Sequence, residues 1–262
     1  MSKFKDIIER KRPLSFSTFN SFFESPYHFI KYCEELTEPT DAMKFGSLCH
    51  ALILEPDKVE EKYFIVPDYD RRTKAGKEAY ETALIEAGDM ELVRESVFAK
   101  AKEIKEKLFE NKPAMSLLNQ ITETEKRIEF EFDGWDWVGF VDSIGDDIIV
   151  DLKKVADANP YAVRSGFFRM GYHRQAFLYL HGTKSLHKRK YYIVAFDEKG
   201  GISCHFVDSN CLTIAENELK THLNNFMECI LLDRWNENYE FYCPNDDGIF
   251  VITKSIQNII NS

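Results

Sequence analysis

The sequence predicts a mixed α/β (α+β) protein in which a central mixed sheet is flanked by helices. Three observations predict it. Through roughly the first 120 residues, apolar positions recur mainly at helical spacing. At Ile128 the period changes to two, with Ile128, Phe130 and Phe132 alternating with charged residues. The strands that follow read as a meander, then a helix, then two more strands, an order that lays helices against a mixed sheet.

Taken in order, Ser15 to about Lys31 reads as a helix carrying Phe16, Phe19, Phe22, Phe23 and Phe29 and broken near Pro26. Ala42 to Leu54 is a second helix, stopped before Pro56. Pro56 to about Gly76 reads as loop. Pro67 and the run Arg71-Arg72-Thr73-Lys74-Ala75-Gly76-Lys77 mark an exposed, basic excursion there. Glu91 to Phe109 is amphipathic, with Val93, Val97, Ala101, Ile104 and Leu108 on one face. Asp133-Gly134 is a strong hairpin signal, and Trp135 to Ile144 is the return strand. A turn at Gly145-Asp146 leads to a strand from Asp147 to Lys153. A helix from about Arg169 to Leu180 stops at Gly182, read as its C′ residue. Strands at Lys190–Phe196 and Ile202–Val207 and a helix from Ser209 to about Leu232 complete the pattern.

With no internal repeat, low-complexity tract or clear linker, the chain reads as one domain, 1–262. Residues 1–120 are its mainly helical part, 121–208 the sheet and helix that carry the candidate site, and 209–262 a C-terminal helix and extension.

Composition narrows the class. Hydrophobic residues make up 44% and charged residues 30%, which excludes a disordered chain. No apolar run approaches the ~20 residues of a membrane helix. The start, Met1-Ser2-Lys3-Phe4-Lys5-Asp6, lacks the apolar core of a secretion signal, so the expected location is cytoplasmic, with no membrane partner. Cys33, Cys49, Cys204, Cys211, Cys229 and Cys243 show no C-x-x-C spacing and are read as free thiols. The net charge of −10 argues against a phosphate-backbone partner, but its distribution argues back. From Leu152 to Tyr191 there are nine Lys or Arg residues against one acid, Asp157. An acidic protein with one basic face can hold nucleic acid there.

The residues that suggest chemistry lie at the strand ends. With the turn centred on Gly145-Asp146, residue 142 falls opposite 149, and Asp151 is a diagonal neighbour of Asp142. Two carboxylates then converge on one divalent ion. Lys153, two residues on, shares the face of Asp151. Leu152 points into the core, but its carbonyl can serve as a ligand. Hard oxygen donors suit Mg²⁺ or Mn²⁺. A metal-bound water with an adjacent lysine is what phosphodiester hydrolysis requires. Gly46 and His50, four apart on a helix, share a face: the glycine lets the helix approach a sheet and His50 can reach a metal. Tyr172, Gln175 and Tyr179 share a face of the later helix.

Together these residues resemble the PD-(D/E)XK nuclease superfamily in its RecB-like branch. The likeness is carried by Gly139-Phe140-Val141-Asp142, Asp151-Leu152-Lys153, Gln175-x-x-x-Tyr179, Gly46-x-x-x-His50, and Leu14-Ser15-Phe16-Ser17 followed by Ser25-Pro26-Tyr27-His28-Phe29. The stretch from Gly46 to Pro56, with Arg72-Thr73-Lys74-Ala75-Gly76-Lys77, is most similar to RecE-type phage and prophage exonucleases. The resemblance implies a restriction-endonuclease-like core. It implies that His50, Asp142, Asp151 and the Leu152 carbonyl ligate one or two Mg²⁺ or Mn²⁺ ions. Lys153 would activate water, and Gln175 and Tyr179 would position the catalytic strand or the DNA backbone. Arg72, Lys74 and Lys77, with Lys154 and Arg174, are the expected DNA contacts. The implied activity is 5′→3′ digestion of one strand of linear double-stranded DNA by a ring-shaped homo-oligomer, in a bacterial or phage-infected cell. The implied partner is a single-strand annealing protein of phage-type recombination.

Departures from the pattern are few. Asp151 replaces the glutamate of the superfamily name, and Lys154-Val155 stands where many relatives have two threonines. Ser25 sits where iron–sulfur relatives have a cysteine, so no iron–sulfur cluster is expected. Glu125 and Glu129 are both candidates for an extra acidic ligand, and the sequence does not choose between them. Two other readings stay open: a RecB-like nuclease of repair or defence, and a non-catalytic DNA-binding protein that keeps the fold.

Overall fold

The computed structural model describes residues 2–35 and 38–243; of the C-terminal extension expected from the sequence, everything past Cys243 lies outside these. The chain divides into two compact units.

The smaller unit takes residues 1–37, 132–136 and 219–262. Its helices are α1 (Lys3–Ile8), α2 (Phe16–Asn20) and α3 (Pro26–Glu34). Ser15 and Ser25 each cap the helix that follows by accepting a backbone N–H, and Pro26 takes the first turn of α3, where no donor is needed. The break expected near Pro26 is therefore present. The spaced phenylalanines form an aromatic core: Phe22 lies 5.8 Å from Phe19, 6.1 Å from Phe29 and 5.0 Å from Phe226. The Asp133-Gly134 turn has φ values of 51° and 72°, as a type I′ hairpin demands.

The larger unit takes residues 38–131 and 137–218. It begins with α4 (Asp41–Leu54) and α5 (Val59–Lys62), followed by β1 (Tyr63–Val66) and α6 (Lys74–Ala87). Next come β2 (Glu91–Arg94), α7 (Glu95–Glu110) and α8 (Lys112–Leu118). Two elements here differ from those expected. The segment read as loop from Pro56 holds β1, and the helix read from Glu91 starts only at Glu95. Tyr63–Val66 pairs in parallel with Glu91–Arg94, residue for residue, and that pairing overrides the helical spacing of the following turns.

The main sheet is β3 (Glu123–Phe132), β4 (Trp135–Ile144), β5 (Ile148–Lys154), β6 (Lys190–Phe196) and β7 (Ile202–Val207), side by side in that order. The β4–β5 and β6–β7 pairs are antiparallel and β5–β6 is parallel, so the sheet is mixed, as expected. Between β5 and β6 run α9 (Pro160–Arg169) and α10 (Tyr172–Gly182). Gly171, at φ 73°, separates these two helices and sets the start of α10 three residues later than the sequence suggests. Gly182 is the last residue of α10, not a left-handed cap; a side chain there would run into Phe130 and Ile128. The last helix is α11 (Ser209–Leu232).

One face of β5 is apolar. Ile148, Val150 and Leu152 pack with Leu48 and Leu52 of α4 and with Ala101, Ile104 and Leu108 of α7. Ile149, Asp151 and Lys153 point to the opposite face by strand alternation. The β4–β5 register also differs from expectation. Ser143 pairs with Val150 and Ile144 with Ile149, because the Gly145 N–H bonds to the Ile148 carbonyl and the turn is centred one residue later. Asp142 is thus not opposite residue 149, which pairs with Ile144.

Candidate active site

The site is built where α4 crosses the end of β5. Gly46 permits the crossing, since a Cβ there would lie 3.3 Å from Lys154 Cβ. One helical turn later, His50 Nε2 lies 2.8 Å from the Leu152 carbonyl oxygen and 3.5 Å from Asp142 Oδ2. Asp142 Oδ2 also accepts the Leu152 N–H at 3.0 Å. The main chain of Leu152 therefore fixes both side chains.

Glu125 completes this cluster. One ligand atom each from His50, Glu125 and Asp142 lies within 4.8 Å of the others. Glu125 has φ 51°, a left-handed conformation that costs on the order of 1–3 kcal/mol for a non-glycine residue. Glu129, the other candidate, is exposed and pairs with Arg127. The geometry chooses Glu125, which alternation along β3 could not do because the two acids share a parity.

Asp151 and Lys153 stand beside the cluster. Asp151 is 1% exposed, and its Oδ2 lies 2.6 Å from Lys153 Nζ. Lys153 Nζ is also 5.3 Å from the centre of the Tyr172 ring. On α10, Gln175 Nε2 donates to Tyr179 Oη at 3.1 Å. Gly139 makes room for that tyrosine: a Cβ there would be 2.9 Å from Tyr179 Cε1. Tyr191, which the sequence reading did not single out, buries its hydroxyl on the Asp151 side of β6. A lone tyrosine in an apolar strand carries no sign of that placement.

The electrostatics have one theme. Burial, then the charge of Asp151, raises Asp142 well above the usual carboxylate range, and Glu125 adds to the shift. Burial lowers His50, opposed by the hydrogen bond that its Nε2–H donates to the Leu152 carbonyl, and so favours the neutral imidazole. Burial opposes the charge on Lys153, but Asp151 and Asp142 outweigh it and the ammonium group is stabilised. Burial pushes Tyr179 up to about 12.

The expected DNA contacts are dispersed. Lys154 lines the cleft at His50 and bonds Glu198 at 2.9 Å. Arg174 is not on a DNA-facing surface: it is buried and pairs with Glu218 at 2.7 Å, because its position on α10 turns inward. Arg72 and Lys74 are over 90% exposed, beside Asp70 and Glu78, and neither they nor Lys77 line the cleft. The basic run from Lys153 to Lys190 is thus not one face. Lys153 is turned inward, and Arg189 Nε is bonded to the Gly145 carbonyl.

A mixed sheet flanked by helices, with Asp-x-Lys on one central strand and a second aspartate on its neighbour, defines a nuclease-type fold of the PD-(D/E)XK class. Residues 15–241 match the family model described as "PDDEXK-like domain of unknown function (DUF3799)", and the chain belongs to that family. The fold is similar to that of a Eubacterium rectale protein provisionally designated an exonuclease. The TM-score is 0.63 at 16% identity, covering 97% of this chain and 94% of that one. LHK-Exo in complex with dAMP is a more distant likeness, with a TM-score of 0.32 and 12% identity over 74% of this chain and 94% of that one. No curated protein matches the sequence. Among the described residues, no helix is long and apolar enough to cross a membrane.

Proposed function

We propose that this protein is a metal-dependent exodeoxyribonuclease that hydrolyses phosphodiester bonds of linear double-stranded DNA. The observation that carries the reading is the convergence of His50, Glu125 and Asp142 beside the Asp151–Lys153 pair. The donor set fits a hard divalent cation, Mg²⁺ or Mn²⁺: carboxylate oxygens, one neutral imidazole and a main-chain carbonyl nearby. The charge balance fits too. Burial first, then the charge of Asp151 and, less, of Glu125, drives Asp142 toward protonation, with Lys153 as the cation that opposes them. His50, Asp142, Asp151 and the Leu152 carbonyl are the ligands proposed from the sequence, and Glu125 joins them on geometry. When bound, one or two such ions would neutralise phosphoryl oxygens and acidify water.

The chain's own residues supply the rest. Lys153, held cationic by Asp151, orients the attacking water and offsets charge developing on the phosphate. The Tyr172 ring and the Gln175–Tyr179 pair restrict where that ammonium can go. Lys154, at the cleft, supplies a phosphate contact.

The finer reading rests on the likeness of Gly46–Pro56 and Arg72–Lys77 to RecE-type exonucleases. It comprises 5′→3′ polarity, a ring of several chains, an annealing-protein partner, phage-type recombination and a cytoplasmic location in a bacterial or phage-infected cell. End-labelled linear duplex incubated with Mg²⁺ tests the proposal. Label should be released from 5′ ends first, closed circular DNA should remain intact, and EDTA should stop release. Equal digestion of circles, or release in EDTA, overturns it.

A further inference from the structure

A second concavity in the larger unit adjoins the cleft and has its own chemistry. Its lining includes Lys44 of α4, Tyr69 and Arg71 after β1, Tyr80 of α6, Arg94 at the end of β2 and Lys100 of α7. The Arg71 guanidinium lies over the Tyr80 ring, 4.1 Å from its centre, while Arg71 itself is exposed. An arginine stacked on a phenol ring offers its outer plane to a further flat group. The segment that holds it is pinned. Thr73 Oγ1 donates to the Asp70 carbonyl at 2.9 Å and accepts the Gly76 N–H at 3.0 Å. Gly76 sits too close to that carbonyl for any side chain. Arg71 is therefore fixed to the helix that carries Tyr80.

The charges favour an anion. Four cations, Lys44, Arg71, Arg94 and Lys100, face three acids, Asp41, Glu91 and Glu198. Glu198 is already engaged by Lys100 at 2.8 Å and Lys154 at 2.9 Å. With Lys100 and Glu198 paired to each other, Lys44, Arg71 and Arg94 face Asp41 and Glu91, an excess of one cation on a chain of net charge −10. The groove is also continuous with the cleft. Ala42 lines both, and the Lys154–Glu198–Lys100 chain of ion pairs runs from one to the other.

We propose that this groove binds single-stranded DNA, with a base stacked on the Arg71–Tyr80 platform and phosphates against Lys44 and Arg94. The platform selects unpaired bases because a base inside a duplex has no free face, whereas a single strand offers one at each nucleotide. The inference rests on the nuclease reading for its biological sense, as a channel for the strand on its way to or from the cleft. The contacts themselves need no catalysis.

Binding of a fluorescein-labelled oligo-dT and of a blunt duplex, followed by anisotropy in EDTA, tests it. Tyr80→Ala and Arg71→Ala should each weaken oligo-dT binding about tenfold, Tyr80→Phe should not, and duplex binding should change far less. Arg71 is exposed, so its variant covers the case in which Tyr80→Ala unfolds. Unchanged oligo-dT affinity in the alanine variants, equal losses on duplex, or no single-strand binding by the wild type would each overturn the groove. Because the readout needs no cleavage, failure of the nuclease reading would appear separately, as an intact end-labelled duplex in Mg²⁺.

Discussion

Asp197 and Asp142 are both aspartates withdrawn from solvent at strand ends of the same sheet, and their surroundings are opposite. Asp197 accepts backbone N–H groups from Ala158 at 2.9 Å, Lys199 at 2.8 Å and Gly201 at 3.0 Å. Burial works against its charge, but those donors outweigh burial and its carboxyl is lowered. Asp142 accepts the Leu152 N–H, stands near other carboxylates, and is raised by burial and by Asp151. The contrast separates two uses of one residue type. A buried carboxylate surrounded by amide donors is part of the frame, and it holds the β6–β7 turn. One beside other carboxylates, with Lys153 the cation facing it, is the arrangement on which the proposed cation site rests.

The largest effect should fall on the raised cluster's neighbours. Asp151→Ala or Lys153→Ala should cut Mg²⁺-dependent digestion by about 100-fold or more, with circular dichroism unchanged. Near-wild-type rates in either variant would break the comparison at its functional end.

The next effect is on stability and has opposite signs at the two sites. In EDTA, Asp197→Asn should lose about 1–3 kcal/mol, since an amide cannot accept three N–H groups as the carboxylate does. Asp142→Asn should leave Tm unchanged or raised in EDTA, and should remove the Tm gain that Mg²⁺ gives the wild type. A fall in Tm as large as that of Asp197→Asn would show that Asp142 is structural.

A pH series sharpens the same contrast. Asp197 is held below its ordinary value of 3.8, so its contribution is present above that value and is lost as pH falls through the lower, folded-state value. Asp142 is held above 3.8, so its contribution is present in acid and is lost as pH rises through the higher, folded-state value. In EDTA, the advantage of Asp142→Asn over wild type should grow with rising pH, while the penalty of Asp197→Asn should shrink in acid. Parallel melting curves for both variants would contradict this.

The smallest effect is at the crossing that makes the site possible. Gly46→Ala puts a methyl group 3.3 Å from Lys154 Cβ, a strain opposed by a helix-propensity gain of up to about 1 kcal/mol. Stability should change by less than about 1 kcal/mol, and digestion should slow by less than tenfold.

Much of this was legible in the sequence, for reasons that the two aspartates illustrate. The period change at Ile128, the Asp133-Gly134 turn and the Gly46–His50 spacing are local signals, and each produced the expected structure. Glu125 was not separable from Glu129, because its selection depends on a left-handed backbone inside a strand. The β1–β2 pair was missed because two four-residue strands 24 residues apart announce themselves only through each other. The basic run from Lys153 to Lys190 looked like one surface, yet the pairing of half-buried Lys153 with Asp151 and the burial of Arg174 are tertiary outcomes that charge counting cannot see. Asp197 went unremarked in the sequence, because its three amide donors come from two separate segments.

Calorimetric titration of Mn²⁺ into wild type, Asp142→Asn and Asp197→Asn is the shortest route to the central claim, that His50, Glu125 and Asp142 form a cation site. Wild type and Asp197→Asn should bind one or two ions per chain, and Asp142→Asn should lose that binding. The same titration curve in all three proteins, or no heat in the wild type, would contradict it.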